Sequence, residues 1–217
     1  MSNKKIRNIN DLKFHYNNLF SRYKNSYLTA QQSSRKTQEI RMNYLIYDIN
    51  LKNKHRILDF GCGTAHFYEY LKKKKKFVFY TGVDIADKII RFNKKKYLNN
   101  KKVKFLNLDI LKSKAKIESF DYIFISGTFN NKIDNNWLWM RKCLSFLFKR
   151  TKKALIFNNL SKYVDYYDSE LFYIEPEKVF KFCKKNLSQY VKLKNDYQIK
   201  KKVIPFEFTT YVFKKKC

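Results

Sequence analysis

The apolar run Ile57-Leu58-Asp59-Phe60 stops abruptly at Gly61-Cys62-Gly63-Thr64-Ala65-His66. The run suits a buried strand. Two glycines one residue apart suit a tight turn in which the backbone takes unusual dihedrals or comes close to a ligand. Residues 65–75 then have the composition of a helix. A strand that feeds a glycine turn and a helix is the opening unit of an open α/β sheet. In such sheets the turn lies at the carboxyl end of the strand, where ligands bind.

The alternation continues. Strands are expected at Phe77–Val83, Val103–Leu106, Phe120–Ile125 and Ala154–Phe157. Helices are expected at 86–98, at 135–149 and at Glu175–Lys185, where Pro176 takes a first-turn position. Tyr190–Leu193 and Glu207–Phe213 alternate like two antiparallel strands. Residues 1–54 read as a polar helical extension, or lid, ahead of one domain at 55–217. Asp11 is placed to cap a helix carrying Leu12, Tyr16, Leu19 and Tyr23; Ser33 or Ser34 is placed to cap a second. Strands alternating with helices mean an α/β sheet with right-handed crossovers.

Lys and Arg number 48 against 18 Asp and Glu, a formal charge of +30 over 217 residues. That charge invites a nucleic-acid reading. Yet Lys, Asn, Ile, Phe and Tyr are all abundant beside only 4 Gly and 2 Pro, the profile of AT-rich coding. Aromatic residues at 18% exclude disorder as the main state. Cys62, Cys143, Cys183 and Cys217 are not at metal-ligand spacing, and Cys217 does not form a prenylation box. The first ten residues lack an apolar leader, and no apolar run is long enough to span a bilayer. A reduced, cytoplasmic protein without metal or membrane attachment is expected.

Three acidic residues specify the ligand. Asp59, just ahead of the glycines, disfavours a phosphate and suits a cationic group. A dinucleotide fingerprint needs Gly where His66 stands, and the Gly-Lys-Ser/Thr of a phosphate loop is absent. Asp84, in Thr81-Gly82-Val83-Asp84-Ile85, can accept both hydroxyls of a ribose. Asp109, in Asn107-Leu108-Asp109-Ile110, can accept an adenine amino proton. These carboxylates at three successive strand ends match the amino-acid end, ribose and base of one adenosyl ligand. The constellation resembles the class I S-adenosylmethionine-dependent methyltransferases. The resemblance implies a Rossmann-like, seven-stranded, mostly parallel sheet with helices on both faces and an antiparallel last strand. It implies adenosylmethionine as cofactor and adenosylhomocysteine as product. The binding residues it implies are Asp59, Gly61, Gly63, Asp84, Ile85, Asp109, Ile110 and Ser126. Ala65 replaces the family's third glycine, a substitution small enough to be tolerated.

In this fold Ile125-Ser126-Gly127-Thr128-Phe129-Asn130-Asn131-Lys132 lies beside the departing methyl group. The Asn/Asp-Pro-Pro-aromatic motif of enzymes that methylate exocyclic base amines is missing. Cys143, the nearest thiol for cytosine C5 chemistry, falls inside an expected helix. Asp134-Asn135-Asn136 reads better as a helix cap than as a metal site. The Ser126–Lys132 and Ile156–Ser161 stretches, with Asp196-Tyr197, are similar to a bacterial branch of small methyltransferases. Methyl transfer asks the protein for alignment, desolvation and, for some acceptors, a base. His15, Tyr16 and Asn130 are the catalytic candidates, while His55 and His66 read as structural. Tyr23, Tyr166, Tyr167 and Tyr173 are candidates to line an acceptor pocket. Gln38 and Arg41, one helical turn apart, could reach the cofactor carboxylate. The expected function is methyl transfer to a small polar metabolite. An RNA methyltransferase and a non-catalytic adenosylmethionine-binding module stay open. A cavity above Ser126 would separate the last from an enzyme. The acceptor and the oligomeric state are left open.

Overall fold

The computed structural model describes residues 6–112 and 117–216. Cys217 and residues 1–5, used above for the prenylation and leader readings, lie outside that range. Helix α1 (Ile9–Tyr23) is capped by Asn8, whose side chain accepts from the N–H groups of Asn10 and Asp11. The cap therefore precedes the expected Asp11, whose carboxylate accepts instead from the Arg7 N–H (3.0 Å). A 3-10 turn at Tyr27–Ala30 leads to α2 (Arg35–Ile46). Ser34 caps α2 in a reciprocal capping box with Thr37.

The sheet unit follows as β1 (Arg56–Phe60), α3 (His66–Lys73), β2 (Phe79–Asp84), α4 (Asp87–Lys96), β3 (Val103–Asn107) and β4 (Phe120–Ile125). It continues with α5 (Asn136–Lys149), β5 (Thr151–Ser161), β6 (Tyr173–Ile174), α6 (Pro176–Asn186), β7 (Val191–Lys194) and β8 (Glu207–Phe213). The strand order is β3-β2-β1-β4-β5-β8-β7. The expected seven strands form that path, and the two-residue β6 adds an eighth by pairing with the end of β5. β8 runs antiparallel to both its neighbours, so it alone is reversed. The chain steps from β1 to β2 on one side and returns to β4 on the other. The carboxyl ends of β1 and β4 thus flank the switch point where ligands bind in such sheets.

Each strand feeds two cores, because alternate side chains face opposite ways. Ile57 and Phe124 pack with Leu45 of α2 and Leu71 of α3. Leu58 and Ile123 pack with Leu144 of α5 and Val179 of α6. A smaller cluster of Ile6, Leu12 and Ile133, joined by Tyr16, Ile85 and Trp139, holds α1 across the carboxyl edge of the sheet. β5 reaches well beyond the expected Ala154–Phe157. Asn158 and Asn159 interrupt the apolar pattern, yet both are buried and continue the ladder with β8.

The turn after β1 is left-handed at every second residue. Gly61 has φ +75°, Gly63 +49° and Ala65 +62°. Ala65 thus adopts the backbone a glycine would hold more easily, with its methyl fully buried. Gly61 has no such freedom to change. A Cβ there would lie 2.2 Å from Thr128 Oγ1, which donates to the Phe60 carbonyl (2.9 Å). Gly61→Ala should therefore destabilise the fold by about 3 kcal/mol, from the left-handed penalty plus overpacking. Chemical denaturation checks this, and a loss under about 0.5 kcal/mol, the range of neutral surface changes, would contradict the close approach.

Candidate functional site

β1, β2, β4 and β5 end around a cavity of about 330 Å³. Small-molecule sites run from roughly 300 to 1,000 Å³. The glycine turn forms one wall. The Gly61 and Cys62 N–H groups donate to the Val83 carbonyl (2.8 and 3.1 Å), which stitches the turn to β2. Asp84 completes the stitch by accepting from the Gly63 N–H and the Ala86 N–H, both at 2.9 Å. Asn93 of α4 donates to the Gly63 carbonyl (2.7 Å). No heavy atom lies within 4 Å of where a Gly63 Cβ would stand, so the turn is open on that side.

Two carboxylates face this wall. Asp59 is 2% exposed and accepts from the Tyr80 hydroxyl (2.5 Å). Burial pushes its carboxyl up to about 7; nearby Asp84 adds to the rise and the Tyr80 bond opposes it. Burial also raises the Asp84 carboxyl, against the N–H groups of Ala86 and Gly63. The far wall is largely apolar. Trp139 of α5, Leu160 of β5, Leu171, Tyr173 and Phe206 line it beyond Ser126 and Asn130. Leu12 and Tyr16 of α1, residues 29–33, and Gln38, Arg41 and Met42 of α2 close the remaining side.

Polar contacts hold these walls together. The Tyr16 hydroxyl accepts from Asn131 Nδ2 (2.7 Å), which also reaches Gln31 (3.0 Å). Burial, reinforced by the Asp84 charge, raises the Tyr16 phenol far above its ordinary value, so it stays protonated. Arg41 Nε donates to Glu207 Oε1 (2.6 Å) and Nη1 to Gln32 (2.5 Å). Asn158 links Glu207 to the Gly127 N–H.

Of the residues singled out in the sequence, Tyr16, Arg41, Asp59, Gly61, Gly63, Asp84, Ile85, Ser126 and Asn130 meet in the cavity, with Gln38, His66 and Tyr173. His15, Asp109 and Ile110 do not line it. A one-residue step turns a helix by about 100°, so His15 lies beside Tyr16, ring edge to face at 5.4 Å, with Nε2 buried and unpartnered. Burial lowers its pKa, against a hydrogen bond to Gln31 that favours the protonated ring. Asp109 accepts from the Leu111 N–H (3.1 Å), and Ile110 packs into the α5–α6 core. Tyr166 and Tyr167 are exposed at 77% and 51%. The N-cap of α5 falls within Asp134-Asn135-Asn136, at Asn135, though its side chain makes no capping bond; Asn136 instead accepts from the Ile133 N–H (2.7 Å). Sequence reading missed Gln31, Asn131, Asn158 and Glu207. The last two did carry a signal, as polar residues inside otherwise apolar strands.

The lining suits an adenosyl sulfonium ligand. In a chain of charge +30, its acidic side chains Asp59, Asp84 and Glu207 outnumber the basic Arg41 and Lys200, and the open face of Gly63 leaves room for a ligand backbone. Among the described residues no group of three or more His, Cys, Asp or Glu is placed to hold a metal, and no helix is long and apolar enough to cross a membrane.

The Asp59 environment has a testable consequence. Its folded pKa of about 7 lies above the ordinary value of about 3.9. The native state therefore keeps a proton that the unfolded chain releases. This contribution to stability is fully present below about pH 4 and is lost as pH rises to about 7, at up to about 1.4 kcal/mol per pH unit. Urea denaturation of the ligand-free protein should show that slope, and Asp59→Asn should flatten it. Parallel profiles for the two proteins would contradict the raised pKa.

Residues 58–151 match a family model described as a methyltransferase domain. The Mycobacterium tuberculosis protein Rv1506c, whose name calls it a methyltransferase, is 27% identical over 172 residues, covering 76% of this chain and 97% of the relative. The plantazolicin methyltransferase BpumL, solved with adenosylhomocysteine and a triazolic desmethyl-plantazolicin analogue, superposes with TM-score 0.62 at 14% identity, over 96% of this chain and 98% of its own. The 4+2 cyclase SpnF superposes with TM-score 0.64 at 12% identity, over 88% and 76%. At such identities the structures share the fold, and a fold hosts more than one chemistry. The family match is more specific, since it runs from β1 to the first residue of β5 and contains the glycine turn with Asp59, Asp84 and Asp109: the match and the fold together support a Rossmann-like S-adenosylmethionine-dependent methyltransferase.

Proposed function

We propose that the acceptor is a small polar metabolite, methylated in the cytoplasm inside the cavity, with residues 1–54 serving as a lid on a catalytic domain at 55–217. One observation carries this reading: the cavity does not end at the cofactor turn. It runs past Ser126 and Asn130 to Trp139, Leu160, Leu171 and Tyr173, and residues of α1 and α2 roof it. A recess partly roofed in that way suits a molecule that enters whole rather than a polymer that lies across a surface. Cys62, Cys143 and Cys183 are free and buried, in keeping with a reducing compartment.

When bound, adenosylmethionine supplies a methyl group already activated on a sulfonium. In this reading Asp84 accepts the ribose hydroxyls beside Ile85, and Gly61 and Gly63 let the ligand approach the backbone. Asp59 faces the ammonium group and Arg41 the carboxylate, while Ser126 lines the path to the acceptor. Asp109 and Ile110 are assigned to the adenine end on the family resemblance. Tyr16 acts as a hydrogen-bond donor rather than a base, because its phenol stays protonated. Asn130, whose Oδ1 has no partner, orients the acceptor. His15 supports Tyr16 from behind. The apolar far wall excludes water from the attack.

Labelled adenosylmethionine offered with pooled small metabolites and, separately, with RNA tests the reading. The label should enter the metabolite fraction at a rate that changes little with salt. Methylation confined to RNA and falling steeply with salt, nearly one log–log unit per phosphate contact, would overturn it. Asp84→Ala should weaken adenosylhomocysteine binding by roughly 10- to 150-fold, the equivalent of about 1.5–3 kcal/mol for hydrogen bonds to a charged acceptor. Unchanged affinity in calorimetry would reduce Asp84 to a brace for the turn.

A further inference from the structure

Glu207, the first residue of β8, is fully buried and lines the cavity. Its two carboxylate oxygens have separate partners. Oε1 takes both Nε (2.6 Å) and Nη2 of Arg41. Oε2 takes Asn158 Nδ2 (3.0 Å), and Asn158 Oδ1 accepts in turn from the Gly127 N–H (2.7 Å). Gly127 has φ +67° and follows Ser126 in the loop after β4. One carboxylate thus joins α2, β8, β5 and the β4 loop, all of which contribute to the lining of the cavity.

The direction of these bonds is fixed by chemistry. The Gly127 N–H can only donate, so Asn158 must turn its oxygen toward it and its NH₂ toward Glu207. Arg41 can only donate as well. Glu207 therefore has to accept on both sides, which an ionised carboxylate does and an amide does not. Arg41 spends three of its five N–H groups on Glu207 and Gln32 and keeps two free at the cavity.

We infer that Glu207 is a positioning residue. It aims the two remaining N–H groups of Arg41 at the carboxylate of the cofactor and, through Asn158, sets the β4 loop against the same end of the ligand. The inference rests on the assignment of Arg41 to the amino-acid end of adenosylmethionine.

The test is a pair of ligands in calorimetry. Adenosylhomocysteine carries the amino-acid end, and 5′-methylthioadenosine has the same adenosine and sulfur without it. Glu207→Gln forces two donors to face each other, either at Asn158 or at Arg41. It should weaken adenosylhomocysteine about tenfold or more, as expected for losing a charge-assisted, oriented contact, and leave methylthioadenosine within about twofold. Equal weakening of both ligands would make Glu207 merely structural and overturn the inference. Unchanged or tighter adenosylhomocysteine binding would make it a spectator or a competitor for Arg41 and overturn it equally. If thermal melting shows that variant to be unfolded, Arg41→Lys takes its place, since an ammonium cannot bond Glu207 and Gln32 and still present a planar fork. The same selective loss is expected there, and its absence overturns the inference. Wild-type protein that binds neither ligand would instead remove the cofactor assignment on which it rests.

Discussion

Asp84 joins the two halves of the cofactor wall. One oxygen receives the Gly63 N–H and the other the Ala86 N–H. The first bond fixes the left-handed turn after β1, and the second fixes the entry to α4. Without that carboxylate the turn would keep its backbone bonds to Val83 and the Asn93 bond to the Gly63 carbonyl, but nothing would tie the Gly63 N–H to β2. Gly61 would then have less reason to hold its close approach to Thr128, and the β4 loop would lose its register against β1. The geometry is costly in local terms. Three residues of the turn have positive φ, one of them an alanine, and two buried carboxylates lie near each other. Such strain persists where the surrounding structure over-determines it, and it gathers at functional sites.

The electrostatics of the cavity differ from those of the surface. A formal charge of +30 suggests an anion-binding protein, but charge on the surface is screened over about 8 Å at physiological ionic strength. Inside the cavity the groups that matter are Asp59, Asp84 and the Arg41–Glu207 pair. Burial raises both aspartates, Asp59 to about 7, so a cation arriving beside Asp59 would favour its ionised form. The surface charge and the site charge therefore answer different questions. Abundant lysine fits AT-rich coding, whereas the cavity has Asp59 and Asp84 at its strand ends.

How much of this was legible depended on distance along the chain. The turn was legible because all its parts lie within Ile57 to His66, and β4 was read with its observed bounds because it is one continuous apolar run. β6 was not legible, since two residues carry no periodicity. The α1 cap was misplaced because Asn8 and Asp11 are both plausible caps at that spacing, and only the path of the chain at Arg7 decides between them. Asp109 belonged to the strand-end pattern, but the backbone after β3 turns its carboxylate toward the Leu111 N–H. The Arg41–Glu207–Asn158 relay brings together residues 166 and 49 positions apart. No local pattern announces such a pairing; only burial of Asn158 and Glu207 in apolar strands hints at it.

The same distinction explains why the cofactor is easier to name than the acceptor. The cofactor wall comes from contiguous strand–turn–helix units, so its chemistry is written in short motifs. The acceptor wall is assembled from Tyr16, Trp139, Leu160, Leu171, Tyr173 and Phe206, contributed by five separate segments with no common spacing. Loops on a rigid sheet can change shape and polarity without disturbing the core. A cyclase and methyltransferases can thus share this sheet, because one fold hosts more than one chemistry. In this chain the wall is apolar with Tyr16 and Asn131 bonded together at its edge. That arrangement leaves selection of the acceptor to shape and to a few hydrogen bonds, and leaves the driving force of the reaction to the sulfonium.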